Sequence, residues 1–360
     1  MGVHSWTRSG TLPDVMLGRA TRMFGGVRYL WDAVREINPE EIRADIERPF
    51  SIALIGSDGS GRGTLAHSLF GIEPGASGRE LVVGGVAPGA VAGIGQPDLA
   101  LLVVDASRPD WSAERRTMHE LATRATPLFL IATHADLLPV ADQARQALLA
   151  QFPGHPPELT AVVDPRDGLA TRLRLLPMIL KTAPNLRLAL AHRFPQLRRA
   201  VAEDLVREAS RVNAQFALMS SLPAMIPLLG GLVGNMADVL VLTKNQAVLV
   251  FKLAGIYGRD VDDRWEVLRE IAPVVGSGFL WRSFARSAVG LFPPLVSAVP
   301  KATIAYVGTY VVGEAARYYY ERGHKPTSDT LREIGRQALQ RYQQVNTRLG
   351  GRPPARPPER

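Results

Sequence analysis

Short apolar runs alternating with helical stretches fill residues 48–172, and long helical periodicity takes over from about Leu173. The first pattern predicts a parallel sheet with helices on its faces, with strands at 51–55, 80–83, 99–104, 128–132 and 159–163. In residues 14–46, Val15, Met16, Ala20, Met23, Phe24, Val27, Leu30, Trp31 and Val34 recur at helical spacing with arginines between them. That spacing predicts amphipathic helix, docked on the following domain or lying on a membrane surface. Strand signals vanish after Leu173. A basic amphipathic stretch leads into long apolar helices that end near Tyr320, and the tail GGRPPARPPER has almost nothing to bury. The expected organisation is therefore 1–47 amphipathic helix, 48–172 the sheet domain, 173–212 a helical connector, 213–326 an apolar helical domain, 327–349 a C-terminal helix and 350–360 a disordered tail.

Composition sharpens this picture at three points. With 360 residues the chain has room for two domains with real cores. Apolar residues make up 46% and charged ones 21%, and the apolar surplus lies in the second half, so contact with a membrane is a live expectation. The net charge of +8 is carried mainly by arginines scattered among acids, which suits anionic lipid heads and argues against a nucleic-acid face. The absence of cysteine excludes disulfides, thiolate catalysis and Cys-ligated zinc. The N-terminal residues lack a secretory signal's apolar core and cleavage site, so the bulk of the protein is expected in the cytoplasm.

The candidate chemistry lies at SIALIGSDGSGRGTLAHSLFG, residues 51–71. An apolar run delivers Gly56, a loop of Ser57, Asp58, Gly59, Ser60 and Gly61 follows, and a helix opens through Arg62, Gly63 and Thr64. Strand, glycine-rich loop and helix start is the order that cradles a nucleotide phosphate, because backbone N–H groups and the helix dipole converge on the anion. The standard pattern G-x-x-x-x-G-K-[ST] would put lysine at 62 and Ser or Thr at 63. Arginine and glycine stand there instead. By itself the string fits a nucleoside monophosphate kinase loop as well as a GTPase loop.

The downstream strands separate these readings. PDLALLVVDAS followed by TPLFLIATHADLL resembles the central strand and base-recognition strand of Era-like G domains. What the resemblance implies is an α/β P-loop G-domain-like sheet followed by an all-α helical domain, with GTP as candidate ligand. It also implies which groups are missing. Gly63 removes the hydroxyl that coordinates Mg²⁺, Val86 stands where the D-x-P-G element has its aspartate, and Arg62 is a planar fork in the place of a compact ammonium. Thr133, His134 and Asp136 replace N-K-x-D, and Asp164-Pro165-Arg166 replaces S-A-K. No catalytic residue, no metal ligand and no role for magnesium are therefore expected.

The helical half carries its own resemblance. Residues 216–326, with Pro227, Asp238, Gln246, Ile256-Tyr257-Gly258 and the tyrosines before Gly323, are similar to the uncharacterised domain of YcjF-type inner-membrane proteins. Residues 212–237 are free of charge and long enough to cross a bilayer, but Pro223, Pro227, Gly230, Gly231 and Gly234 divide them into pieces suited to a hairpin or re-entrant segment. A water-soluble bundle fits the same pattern. Asp238 and Gln246 are expected as hydrogen-bonded groups inside a bundle, and Tyr318-Tyr319-Tyr320 as an interfacial anchor or as packing at a helix end. Membrane lipids, a second copy or another membrane-associated protein are the expected partners. The leading expectation is a degenerate GTPase at the cytoplasmic face of the inner membrane, sensing nucleotide or scaffolding; an active divergent GTPase and a soluble interaction protein without nucleotide are the alternatives.

Overall fold

The computed structural model describes residues 34–73, 80–87, 90–124, 126–134, 141–220, 234–275 and 301–348. In chain order the elements of the first half are α1 (Pro39–Ile46), β1 (Ile52–Gly56), α2 (Arg62–Phe70), β2 (Leu81–Gly84), β3 (Leu99–Asp105), α3 (Ser112–Ala122), β4 (Leu128–Thr133), α4 (Ala141–Gln151) and β5 (Thr160–Val162). There follow α5 (Gly168–Thr182), α6 (Arg187–Arg193), α7 (Pro195–Met219), α8 (Gly234–Ile256), α9 (Arg264–Val275), α10 (Lys301–Arg322) and α11 (Ser328–Arg348). The five expected strands all form, each with its ends within a residue or two of the expected ones. Of the N-terminal helical reading, residues 1–33 lie outside the described residues, as do the tail 350–360 and residues 221–233 of the apolar stretch.

The chain divides into two compact units. One comprises Glu40–Ala202 with Gly255–Arg259, and the other holds Met1–Pro39, Glu203–Ala254 and Asp260–Arg360. The division at Ala202 falls inside the continuous helix α7.

In the first unit all strands are parallel, in the order β2-β1-β3-β4-β5. Every residue of β1, β3 and β4 is buried, as expected of strands covered by helices on both faces. One of those faces is filled by Ala53, Ile55, Leu102, Val104 and Leu130 together with Trp111, Leu121, Leu148 and Phe152 from the helical side. The strand order reverses direction at β1, which has β2 on one side and β3 on the other. In open α/β sheets the crevice at such a switch point, beyond the carboxyl ends of the strands, is where ligands bind.

Helices α5 and α6 belong to this same unit. α5 packs on α2, and Phe194, just past α6, meets Phe50 at 6.0 Å and Phe70 at 4.9 Å between ring centroids. Residues 173–202 therefore complete the sheet unit, whereas the sequence pattern assigns them to a helical connector. Amphipathic spacing marks a buried face without saying what covers it.

The second unit is helical and is organised around a buried polar knot. Asn213 on α7 donates from Nδ2 to Thr309 Oγ1 of α10 at 2.7 Å and to the Leu242 carbonyl of α8 at 3.4 Å, and its Oδ1 accepts from Asn245 Nδ2 at 2.7 Å. Gln246 Nε2 donates to the same Thr309 hydroxyl at 3.2 Å. Gln246 is thus a hydrogen-bonded group inside the bundle, with Thr309 as its partner; the side chain of Asp238 lies outside the described residues. One turn on from Thr309, Gly313 lets the helices approach closely: a Cβ there would lie 2.6 Å from Val206 Cγ2 and 2.9 Å from Leu249 Cδ2. Tyr306 and Tyr310 stack at 6.1 Å, Tyr342 of α11 closes on Tyr306 at 5.2 Å, and burial pushes the Tyr310 phenol up to about 12. Beyond them Tyr318 lies beneath the Arg322 guanidinium and meets His324 edge-on, so that tyrosine is engaged at the helix end. Among the described residues no helix is long and apolar enough to cross a membrane.

Candidate functional site

The loop 56–61 sits at the switch point, and its glycines are set by geometry. Gly56 ends β1 opposite Val103, and a Cβ on it would lie 2.4 Å from the Val103 carbonyl oxygen and 2.6 Å from Ser60 Oγ. Gly59 and Gly61 have φ of 78° and 84°, the left-handed region that disfavours any side chain. The Ser60 N–H closes a turn on the Ser57 carbonyl at 3.1 Å, and Leu65 N–H bonds the Gly61 carbonyl at 2.8 Å to start α2. No side chain caps this helix. The N–H groups of Arg62, Gly63 and Thr64 lack intrahelical acceptors, as at any helix start, and lie open at the mouth of the loop.

The ends of the other strands come to the same place. A Cβ built on Gly61 would have Thr133 Cγ2, His134 Cε1 and Pro165 Cγ each at 3.6 Å. β4 and the segment after β5 therefore reach the start of α2, although Thr133 and Pro165 are far from Gly61 in sequence. The Thr133 hydroxyl is fully buried and donates to the Ser60 carbonyl at 2.7 Å, which ties β4 to the loop. That hydroxyl is committed to the scaffold. His134 has φ of 56°, and its Nδ1 stands 3.1 Å from Thr133 Oγ1 and 3.6 Å from Asp105 Oδ1. Asp136 lies outside the described residues.

Charges around the loop are paired internally. The Arg62 side chain is 15% exposed. Its Nη1 donates to the Gly84 carbonyl at the end of β2, and its Nη2 pairs with Asp58 Oδ1 at 2.6 Å. The guanidinium thus lies between the loop and the end of β2, close to where Val86 leaves the strand half-buried against the core. Arg108 reaches back over the loop, donating to the Asp58 carbonyl oxygen at 2.5 Å and pairing with Asp105 Oδ2 at 3.4 Å. Asp105 also accepts from the N–H and hydroxyl of Ser107, which caps the end of β3. Arg166 donates twice to Asp164, holding that carboxyl below the ordinary carboxylate range. Ser57 donates its hydroxyl to Glu114, a buried carboxylate in the first turn of α3. Thr64 is exposed, and Ser60 Oγ is buried without a hydrogen-bond partner.

Three participants escape the sequence reading. Arg108 carries a weak signal, three residues after a strand-end aspartate. Glu114 and Gly84 carry none, since only the sheet order brings them to the loop.

Chemically, the arrangement brings backbone N–H groups and two guanidinium groups together, with Asp58, Asp105 and Glu114 opposing them. Gly63 offers no side-chain oxygen and Val86 no carboxylate, and the Arg62 guanidinium stands between their elements. Among the described residues no group of three or more His, Asp or Glu side chains is placed to hold a metal ion. No protein-family model matches this sequence, and no curated protein matches it.

Proposed function

We propose that the sheet unit is a degenerate Era-like G domain that binds the phosphates of GTP without metal and without efficient hydrolysis. The observation that carries this reading is Arg62. Held by Gly84 and Asp58, its charge stands at the head of α2, where it meets an incoming phosphate without the help of an ion. Phosphate is a stronger partner for the planar fork than a single carboxylate oxygen, so binding proceeds by exchange of Asp58 for a phosphoryl oxygen. Among the described residues the Ser57 and Thr133 hydroxyls and the Asp105 carboxylate are all committed to internal bonds, which leaves none of the three to position a water for attack. The nucleotide is a ligand, read by the protein and left intact. Guanine is preferred through Asp136, the one base-reading carboxylate retained in the sequence.

The charge-free stretch 212–237 and the basic net charge support the second part of the reading, a nucleotide sensor or scaffold held at the cytoplasmic face of a membrane. Its partners there are lipids, a second copy or another membrane-associated protein.

Two substitutions test the nucleotide reading by moving affinity in opposite directions. Asp58→Ala frees Arg62 from an exposed ion pair, and affinity for a fluorescent GTP analogue is expected to rise up to about fivefold. Arg62→Ala removes a charge-assisted bond and is expected to lower it by roughly ten- to a hundredfold, with the far-ultraviolet circular dichroism unchanged. Equal affinities in all three proteins, or GTP turnover by the unaltered chain, would sink the reading.

A further inference from the structure

The second guanidinium at the loop, that of Arg108, is placed by the turn that follows β3. The Arg108 N–H closes on the Asp105 carbonyl at 3.2 Å, and the buried Trp111 donates from Nε1 to the same oxygen at 2.9 Å. From that turn the side chain folds back over the loop. Its Nη2, bonded to the Asp58 carbonyl, would stand 3.3 Å from a Cβ on Gly59, while Nε faces Asp105 Oδ2. Nη1 has no acceptor among the described residues, and the side chain is 43% exposed, so one edge of the fork is open to solvent. Arg62 and Arg108 therefore hold one residue from two flanks. The loop leaves β1, which stands between β2 and β3. Arg62 leans to the β2 side and pairs with the Asp58 carboxylate; Arg108 comes from the β3 side and takes the carbonyl of the same residue. The two holds differ in what a ligand displaces. The Asp58 carboxylate is fully exposed and free to turn into water. Arg108 is held by a backbone oxygen and by Asp105, a buried carboxylate that Ser107 fixes in turn. An anion that replaces the Asp58 carboxylate at Arg62 finds Arg108 already in position beside it.

We propose that Arg108 is a second phosphate-binding residue, and that with Arg62 it makes the loop select ligands carrying two or three adjoining phosphoryl groups over a single phosphate. The proposal rests on the nucleotide part of the reading above and adds the residue that sets the number of phosphates. Strands β2 and β3 lie two strand spacings apart, about 10 Å. One tetrahedral phosphate at the head of α2 meets the open N–H groups and Arg62, and leaves the β3 flank unfilled. A second or third phosphoryl group extends onto that flank, where the open edge of Arg108 takes its oxygens as a planar fork. Because Asp105 and the Asp58 carbonyl hold Arg108 before the ligand arrives, little side-chain freedom is lost on binding.

Calorimetric titration of orthophosphate, pyrophosphate and tripolyphosphate into the full-length protein in excess chelator tests this, with GTP titrated alongside. The unaltered chain is expected to bind the two oligophosphates roughly tenfold or more tighter than orthophosphate. Arg108→Ala is expected to weaken both oligophosphates roughly tenfold and to leave orthophosphate within about twofold, whereas Arg62→Ala weakens all three. Arg108→Lys keeps a charge beside Asp105 without the fork, so its oligophosphate affinity is expected between those of the alanine variant and the unaltered protein, with melting unchanged. If Arg108→Ala and Arg108→Lys move all three anions alike, or move none, the role of Arg108 is overturned; weaker binding of GTP by Arg62→Ala then leaves the nucleotide reading standing. Silence of all three anions on a chain that binds GTP overturns the selection by phosphate number alone. A chain that binds neither GTP nor the anions overturns both.

Discussion

Gly56→Ala is expected to cost the sheet unit about 3 kcal/mol or more and to abolish nucleotide binding with it. The added methyl would meet the Val103 carbonyl at 2.4 Å and Ser60 Oγ at 2.6 Å. The carbonyl cannot retreat cheaply, because Val103 belongs to the fully buried central strand, where Gly56 is its registered partner; the Ser60 hydroxyl, which has no hydrogen-bond partner, can turn aside, so the backbone clash carries the effect. The loop would therefore lift from the end of β1, and the open N–H groups of α2 would lose their common focus. Thermal unfolding followed by circular dichroism measures the effect, expected as a fall of roughly 10 °C in the melting of this unit. Gly85→Ala is the control. Its Cβ has nothing within 4 Å, and melting and binding should both stay near those of the unaltered protein. A Gly56→Ala protein that melts normally would show that the loop does not need this close approach.

The second large effect is expected at Asn213→Leu, in the helical unit. Asn213 joins three helices by itself, donating to Thr309 and Leu242 and accepting from Asn245. Leucine has a similar branched shape but leaves the part-buried Asn245 amide and the buried Thr309 hydroxyl each short of one partner, whereas the Leu242 carbonyl keeps its place inside helix α8. A buried group left short of a partner costs about 1–3 kcal/mol, so a loss of about 2 kcal/mol for the unit is expected. Chemical denaturation with a helix signal reads it. The double variant Asn213→Leu with Thr309→Val should lose less than the sum of the two single losses, because both singles break the same contact, while the loss of the acceptor of Gln246 belongs to Thr309→Val alone. Additive losses would mean that the two side chains are not coupled as their 2.7 Å contact implies.

How far this was legible in the sequence differs from element to element. The five strands were readable because strands buried on both faces leave short apolar runs bounded by breakers. The loop was readable because Gly56, Gly59 and Gly61 have no substitute at their positions. The direction of Arg62 was not. It depends on the Gly84 carbonyl, which reaches the loop only through the order of β2 and β1 in the sheet. For the same reason Thr133 reads in sequence as a poor replacement for a base-binding asparagine, while the fold uses its hydroxyl to fasten Ser60. The periodicity of helix α5 shows a buried face but not that α2 covers it. In the bundle, Gln246 was visible as a polar residue in an apolar helix; Thr309 was hidden among ordinary β-branched positions.

The substitutions at 62, 63 and 86 form one change when seen at the sheet's edge. Two metal-binding groups are absent, and a guanidinium fixed by Gly84 and Asp58 supplies positive charge beside the loop. On the proposed reading such a site gains nothing from magnesium. Calorimetric titration of GTP into the full-length protein, once in magnesium and once in excess chelator, tests that claim most directly. The account predicts the same affinity in both, with the nucleotide recovered as GTP afterwards. Binding that appears or tightens tenfold only with magnesium, or recovery of the nucleotide as GDP, would contradict it.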